Sequence, residues 1–275
     1  MLESGIIRER MNKNLNSTGA FFNDPKIKQK YVKRLKEHQK LDEIIQGDYW
    51  ENGKGCAVGC TIHGDSHQAY EDELNVPMVI ARLEDRIFEG MPAKEAKLFP
   101  LRFIESISEG ADLSLVIYKF NDWLLVDEKY GVIKYAKSDR IKNTITTVSG
   151  LLKDKINGIG INKKQWEDAS ADNHAASADD YVAAYAHAAA SDYAAAAADI
   201  ASDYAASASA ASAASASAAD IASDYAAAAA GASAASAAIV IASDYAYAYD
   251  SAYVSAKEEA YIKQAEKLIE ILKNS

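Results

Sequence analysis

Two cysteines and two histidines stand at a spacing that suits thiol chemistry. They fall at positions i, i+4, i+7 and i+11 and would share one face of an unbroken helix: Cys56, Cys60, His63 and His67. A glycine-rich loop places Cys56 at the expected start of that helix, where free N–H groups favour a thiolate. The pattern predicts a Cys56 nucleophile with His63 or His67 as the base. The Glu84-Asp85 pair would supply an orienting carboxylate from Asp85.

The same residues also fit a structural role or a metal site. Gly55, Ala57 and Gly59 suit a tightly packed helix, and a free cysteine often behaves as a small hydrophobic residue. For a metal, Cys60 and His63 are the candidate ligands. A straight helix cannot surround one ion with four ligands, so Gly64 would have to bend the chain. Packing, thiol catalysis and metal binding stay open, and we expect no cofactor.

Helices are predicted on both sides of this cluster. Asp24 is a typical N-cap and Pro25 a typical first helical residue, and the helix they begin should run to about Gln46. Further helices are expected at Pro77–Glu89, Leu98–Ile107, Leu113–Leu125, Arg140–Lys155 and Ala256–Lys273. No long alternating pattern indicates a strand, so the sequence predicts an all-α fold.

The first predicted helix has one basic side. It carries Lys26, Lys28, Lys30, Lys33, Arg34, Lys36 and Lys40. Such a run is usually a solvated helix face. It is also a possible docking face for the acidic C-terminal part of the same chain.

Alanine, serine, aspartate and tyrosine dominate the region from residue 158 to residue 256. The octapeptide Ala-Asp-Ile-Ala-Ser-Asp-Tyr-Ala occurs at 198–205 and again at 219–226, three heptads later. Alanine is the best helix former, so this array is expected to be helical. The spacing of the tyrosines slips near Gly231, which indicates a turn and an array folded back on itself. We therefore divide the chain into a helical globular domain at 1–157, the array at 158–256 and a capping helix at 257–275.

The array carries most of the excess negative charge of the chain. Residues 165–256 hold twelve Asp or Glu and no Lys or Arg, whereas the whole chain has a net charge of −10. This charge argues against nucleic-acid binding through the array and allows a basic protein partner or self-association. The expected binding residues are the repeated acids and their tyrosines: Asp199, Asp203, Tyr204, Asp220, Asp224 and Tyr225.

Three other interpretations of the array stay open. Alanine and serine runs also occur in disordered or silk-like β segments. The uncharged stretch Tyr225–Ser243 could span a membrane, although alanine and serine are weakly apolar, and we expect no membrane association. An ice-binding helix would fit the 11-residue spacing of Tyr193 and Tyr204, but the stretch has no threonine array.

Three segments of the chain resemble a family of uncharacterised bacterial and phage-type proteins. They are Gly55-Cys56-Ala57-Val58-Gly59-Cys60-Thr61-Ile62-His63, Leu74-Asn75-Val76-Pro77 and Ala81-Arg82-Leu83-Glu84-Asp85-Arg86-Ile87-Phe88-Glu89-Gly90. Members of this family are similar in a second respect, an alanine-rich C-terminal array. The resemblance covers about residues 20–130 and implies a grouping without an activity.

These observations favour a cytoplasmic binding or assembly protein that is not an enzyme. Two cysteines make no disulfide framework, and the first ten residues have no apolar signal core. The expected binding surface is the acidic, tyrosine-bearing face of the array. The alternative is a thiol-dependent enzyme of the Cys–His type, with Cys56 as its nucleophile.

Overall fold

The computed structural model describes residues 19–135, 139–162, 164–165, 169 and 249–275. These residues form nine α-helices and a single two-stranded hairpin, which confirms the predicted all-α class. Most of the array, residues 170–248, lies outside the described residues, and with it the predicted fold-back and its alternatives.

The helices follow one another with short connections. They are α1 (Pro25–Lys40), α2 (Ala57–Ile62), α3 (Gln68–Leu74), α4 (Met78–Gly90), α5 (Ala93–Ala96), α6 (Phe99–Ser106), α7 (Val116–Val126), α8 (Asp139–Ile156) and α9 (Tyr249–Lys273). Two 3₁₀ turns occur at Ala20–Asn23 and Val132–Tyr135. The predicted helices are present. The largest differences are that α1 ends at Lys40, before Gln46, and that α9 begins at Tyr249, before Ala256.

Helix α1 begins where the sequence predicted. The Asp24 side chain accepts a hydrogen bond of 2.8 Å from the Lys26 N–H, and Pro25 fills the first helical position. The helix buries Tyr31, Leu35 and His38 against the rest of the domain. Part of its basic face is already paired, because Lys36 reaches Glu105 at 2.9 Å.

A short hairpin connects α1 to α2. Strands β1 (Trp50–Glu51) and β2 (Lys54–Gly55) are antiparallel, with Trp50 opposite Gly55. Asn52 and Gly53 form the turn with φ of +52° and +83°, the conformation that favours an Asn-Gly pair. The Cys56 N–H donates to the Asp48 carbonyl at 2.8 Å, so the hairpin lies directly against the start of α2.

Helix α9 packs into the core of the N-terminal helices. Its buried side chains include Tyr261, Leu268 and Leu272, and they belong to the same hydrophobic core as α4, α6 and α7. A Cβ at Gly90 of α4 would overlap the Tyr261 ring, so glycine there allows the two helices to approach closely. The sequence placed this helix as a cap on the array, whereas its buried face is part of the globular core.

The described helices were candidates for membrane spans only if they were long and apolar. No helix in the described part of the chain combines the length and the apolar composition needed to cross a bilayer. The uncharged stretch Tyr225–Ser243 lies outside this part.

Candidate functional site

The predicted single helix through Cys56 and His67 is wrong. Helix α2 has only six residues, and His63 ends it in the left-handed conformation with φ +58°. The chain bends at residues 63–65 before α3 begins at Gln68. A left-handed residue redirects the backbone, so the four residues do not share one helix face. Cys56 and His67 lie in one cluster and His63 in another, at the two ends of α2, while Cys60 belongs to neither.

The first group, the Cys56 cluster, combines Cys56, His67, Asp85, Glu89 and Tyr49. The Cys56 sulfur and carboxylate oxygens of Asp85 and Glu89 all lie within 4.8 Å of one another. Asp85 and Glu89 are one helical turn apart on α4, so they project from the same side of that helix. Packing of α2 on α4 brings the thiol to them. Asp85 was a candidate from the sequence, whereas Glu89 was not.

The surroundings of Cys56 oppose a thiolate. The residue is 2 % exposed, and burial together with the nearby Asp85 carboxylate raises the pKa of its thiol far above its ordinary value. The sequence predicted a lowered pKa at a helix start. The structure reverses that direction, because loss of solvent and a neighbouring negative charge outweigh the backbone N–H groups of Val58 and Gly59.

His67 and Asp85 form the hydrogen-bonded pair of this cluster. His67 Nε2 lies 3.2 Å from Asp85 Oδ2, and each side chain is only 14 % exposed. The Tyr49 and His67 rings pack edge to face, with their centroids 5.8 Å apart. The other oxygen of Asp85, Oδ1, is buried without a hydrogen-bond partner. The predicted carboxylate–imidazole contact is therefore present.

Glu89 closes the cluster on its exposed side. Both of its carboxylate oxygens receive the Gly47 N–H, at 3.0 and 3.2 Å. Partial burial and the negative charges of Asp85 and Asp48 raise the pKa of Glu89, against the opposing effect of Gly47. The cluster thus gathers acidic groups that repel one another when ionised.

A second buried carboxyl group lies next to Asp85 in the sequence. Glu84 is fully buried, and the Tyr70 hydroxyl donates to its Oε2 at 2.7 Å. Burial raises the pKa of Glu84 well above its ordinary value, so the group is favoured as the neutral acid. Glu84 therefore belongs to the packing of α3 on α4. Of the Glu84-Asp85 pair, only Asp85 contacts an imidazole within the described residues.

Cys60 lies apart from both acids of α4. Its side chain is fully buried, and its thiol donates to the Gly55 carbonyl at 3.2 Å. Burial raises the pKa of Cys60 to about 12. Within the described residues, the group of side chains that could hold a metal ion contains neither Cys60 nor His63, the two ligands suggested by the sequence.

The second group, the His63 cluster, contains Glu43, His38, His63 and Trp50. His38 Nδ1 lies 2.7 Å from Glu43 Oε2, and His38 Nε2 lies 2.8 Å from His63 Nε2. The exposed His63 ring stacks on Trp50, with centroids 4.4 Å apart and an angle of 14°. Partial burial and the positive charge of Arg34 lower the pKa of His63.

The chemistry open to the two clusters differs. The Glu43–His38–His63 chain can accept a proton at an exposed imidazole and share its charge with a carboxylate. In the described part of the chain, however, neither His63 nor His67 hydrogen-bonds to a cysteine thiol. A thiol–imidazole pair is the geometry that an activated Cys nucleophile requires. The Cys56 cluster instead offers sulfur and oxygen donors to a cation.

Most of the additional site residues were not detectable from the sequence. His38, Glu43 and Glu89 approach their partners only through tertiary packing. The Asn52-Gly53 turn was a readable signal for the hairpin that carries Tyr49 and Trp50. The predicted binding residues of the array lie outside the described residues: Asp199, Asp203, Tyr204, Asp220, Asp224 and Tyr225.

Comparison with known proteins gives no match to the chain among family models, curated proteins or solved structures.

Proposed function

We propose that this chain is a non-enzymatic binding or assembly protein that uses an acidic Ala/Tyr-rich helical surface. The observation that carries the proposal is the uneven charge. Twelve acids without a single Lys or Arg lie between residues 165 and 256, in a segment where Asp-Tyr units recur. Such a surface attracts basic partners, and its tyrosines offer apolar area with a polar tip.

The geometry of Cys56 supports this proposal over a thiol-dependent enzyme. The thiol is 2 % exposed and faces carboxylates, and both features disfavour the anion that attacks a substrate. The enzyme alternative would need Cys56 to reach solvent and to exchange Asp85 for an imidazole. The binding proposal needs no such rearrangement.

Several finer features belong to the same proposal. The array would be helical and folded back, with its Asp-bearing face turned toward the partner. A basic protein surface is the partner we favour, and nucleic acid is disfavoured by charge repulsion. Both cysteines are free and buried, which suits a reducing compartment such as the cytoplasm. Membership of the family with the Gly-Cys-Ala-Val-Gly-Cys motif stays a prediction.

The test uses the full chain and an oligolysine peptide of fixed length as the basic probe. We expect binding that weakens steeply as salt is raised beyond about 0.15 M, where the Debye length is about 8 Å. A variant with Asp199, Asp203, Asp220 and Asp224 all changed to Asn should bind more weakly by about tenfold or more. Isothermal titration calorimetry measures both effects.

A matched variant separates the array from net charge. It removes four exposed acids of the globular domain: Glu37→Gln, Glu51→Gln, Asp65→Asn and Glu128→Gln. We expect this variant to bind the peptide nearly as the unmodified chain does. Equal losses in the two variants would show that overall charge attracts the probe, and they would contradict a binding surface in the array.

A further inference from the structure

We propose that Cys56, Asp85 and Glu89 form a binding site for a divalent transition-metal ion of the zinc class. The proposal goes beyond the partner-binding role, because it concerns a different part of the chain. Its basis is the convergence of a sulfur donor and two carboxylates whose ligand atoms lie within 4.8 Å of one another. Ligands about 2.0–2.3 Å from one ion are about 3–4 Å apart, so small side-chain rotations would complete the contact.

One buried oxygen of the cluster, Oδ1 of Asp85, lacks a hydrogen-bond partner of ordinary geometry. A buried carboxylate oxygen normally has at least one such partner, and both the Cys56 thiol and the Tyr49 side chain interact with this carboxylate. A cation bound between Asp85 and Cys56 would use the free lone pairs of this oxygen. It would also neutralise the negative charges that Asp85 and Glu89 place beside the thiol.

The outer contacts resemble those that orient metal ligands. His67 Nε2 lies 3.2 Å from Asp85 Oδ2 and hydrogen-bonds to that carboxylate. The Gly47 N–H donates a hydrogen bond to Glu89. Hydrogen bonds of this type fix the direction in which a ligand points and are a regular part of protein metal sites. His67 is therefore a positioning residue in this proposal.

The donor set indicates the class of ion. A thiolate is a soft ligand that suits zinc and similar metals, whereas calcium and magnesium take oxygen ligands. Binding would convert the Cys56 thiol to a metal-bound thiolate and release its proton to solvent. Glu89 is exposed, so the site has an approach from solvent. Three protein donors leave one position of a tetrahedral ion for water.

Cobalt(II) is the probe, because it replaces zinc and its bond to a thiolate absorbs in the near ultraviolet. The full chain is treated with a chelator, kept reduced without added thiol and titrated with Co²⁺. We expect a thiolate-to-cobalt band that saturates at one ion per chain and is removed by added Zn²⁺. The band is specific for a thiolate ligand, because carboxylates elsewhere in the chain cannot produce it. Its absence would therefore overturn the proposal.

Three variants assign the ligands. Cys56→Ser should abolish the band, while Cys60→Ser should keep it, because the Cys60 thiol points to the Gly55 carbonyl. Glu89→Gln changes an exposed side chain and should weaken Co²⁺ binding by about tenfold or more, and urea unfolding of the metal-free variant checks that it is folded. A band that survives in Cys56→Ser, or unchanged affinity in Glu89→Gln, would contradict the site. Neither result bears on the oligolysine test of the array.

Discussion

At the scale of residues, burial decides what the ionisable groups can do. Cys56, Cys60 and Glu84 are each buried, and in each case loss of solvent is the main cause of a raised pKa. Neutral thiols and a neutral carboxylic acid are then the stable forms within the domain. Residue type alone suggested thiolate chemistry at Cys56, but the environment supplied by α4 reverses that expectation.

His63 gives a pH dependence whose direction can be tested. Its pKa is lowered from an ordinary value of 6.5 by partial burial and then by Arg34, so the folded chain binds the proton less well than the unfolded chain. The stabilising contribution of neutral His63 is present above pH 6.5 and is lost as the pH falls toward the lower folded pKa.

Urea unfolding of the unmodified chain and of His63→Gln, at several pH values, measures this effect. The difference in the free energy of unfolding between them should shift in favour of the variant as the pH falls from about 7.5 to about 5. A difference that is constant across this range, or that shifts the other way, would contradict the assignment.

At the scale of elements, two glycines allow the hairpin to lie against α2. The Tyr49 carbonyl oxygen occupies the positions where Gly55 and Gly59 would carry a Cβ. This close approach brings Tyr49 to the Cys56 cluster and Trp50 to the His63 cluster. The positions of Tyr49 and Trp50 therefore depend on the missing side chains of Gly55 in β2 and Gly59 in α2.

Alanine substitution tests this contact directly. In an exposed helix Gly→Ala stabilises by about 0.5–1 kcal/mol, but at Gly59 the added carbon would overlap backbone. We expect Gly59→Ala to reduce the free energy of unfolding by about 2 kcal/mol or more. Gly64→Ala is the control, because a Cβ there meets nothing within 4 Å. Equal stability of the two variants in urea would refute the close approach.

The elements differ in how far the sequence could predict them. Helix α1 was predictable at its start, because Asp24 and Pro25 are local signals that act within one turn. The end of α2 was not, since a left-handed histidine such as His63 carries no sequence signal of its own. The Cys56 cluster depends on packing of α2 against α4, a contact between residues far apart in sequence. Only the His67–Asp85 neighbourhood was anticipated, from the Glu84-Asp85 pair.

At the scale of the whole molecule, the chain combines a closed helical domain with an acidic repeat segment. Helix α9 follows the array in sequence and packs in the core of the domain that precedes it. Parts of the chain on either side of residues 170–248 therefore share one hydrophobic core. Partner binding is assigned to the repeat segment and metal binding to the domain, so the two proposals can fail independently.

In the domain that the structure describes, neither cysteine is an activated nucleophile, and the number of thiols that react in the folded chain is the sharpest check of this conclusion. The full chain, first treated with a chelator so that no metal protects it, is exposed to iodoacetamide at neutral pH and followed by intact mass. Burial and raised pKa values predict that both Cys56 and Cys60 stay unmodified until urea is added, when two groups are alkylated. Rapid alkylation of Cys56 alone in the folded chain, slowed by His67→Gln or His63→Gln, would contradict the account and restore the thiol-dependent enzyme.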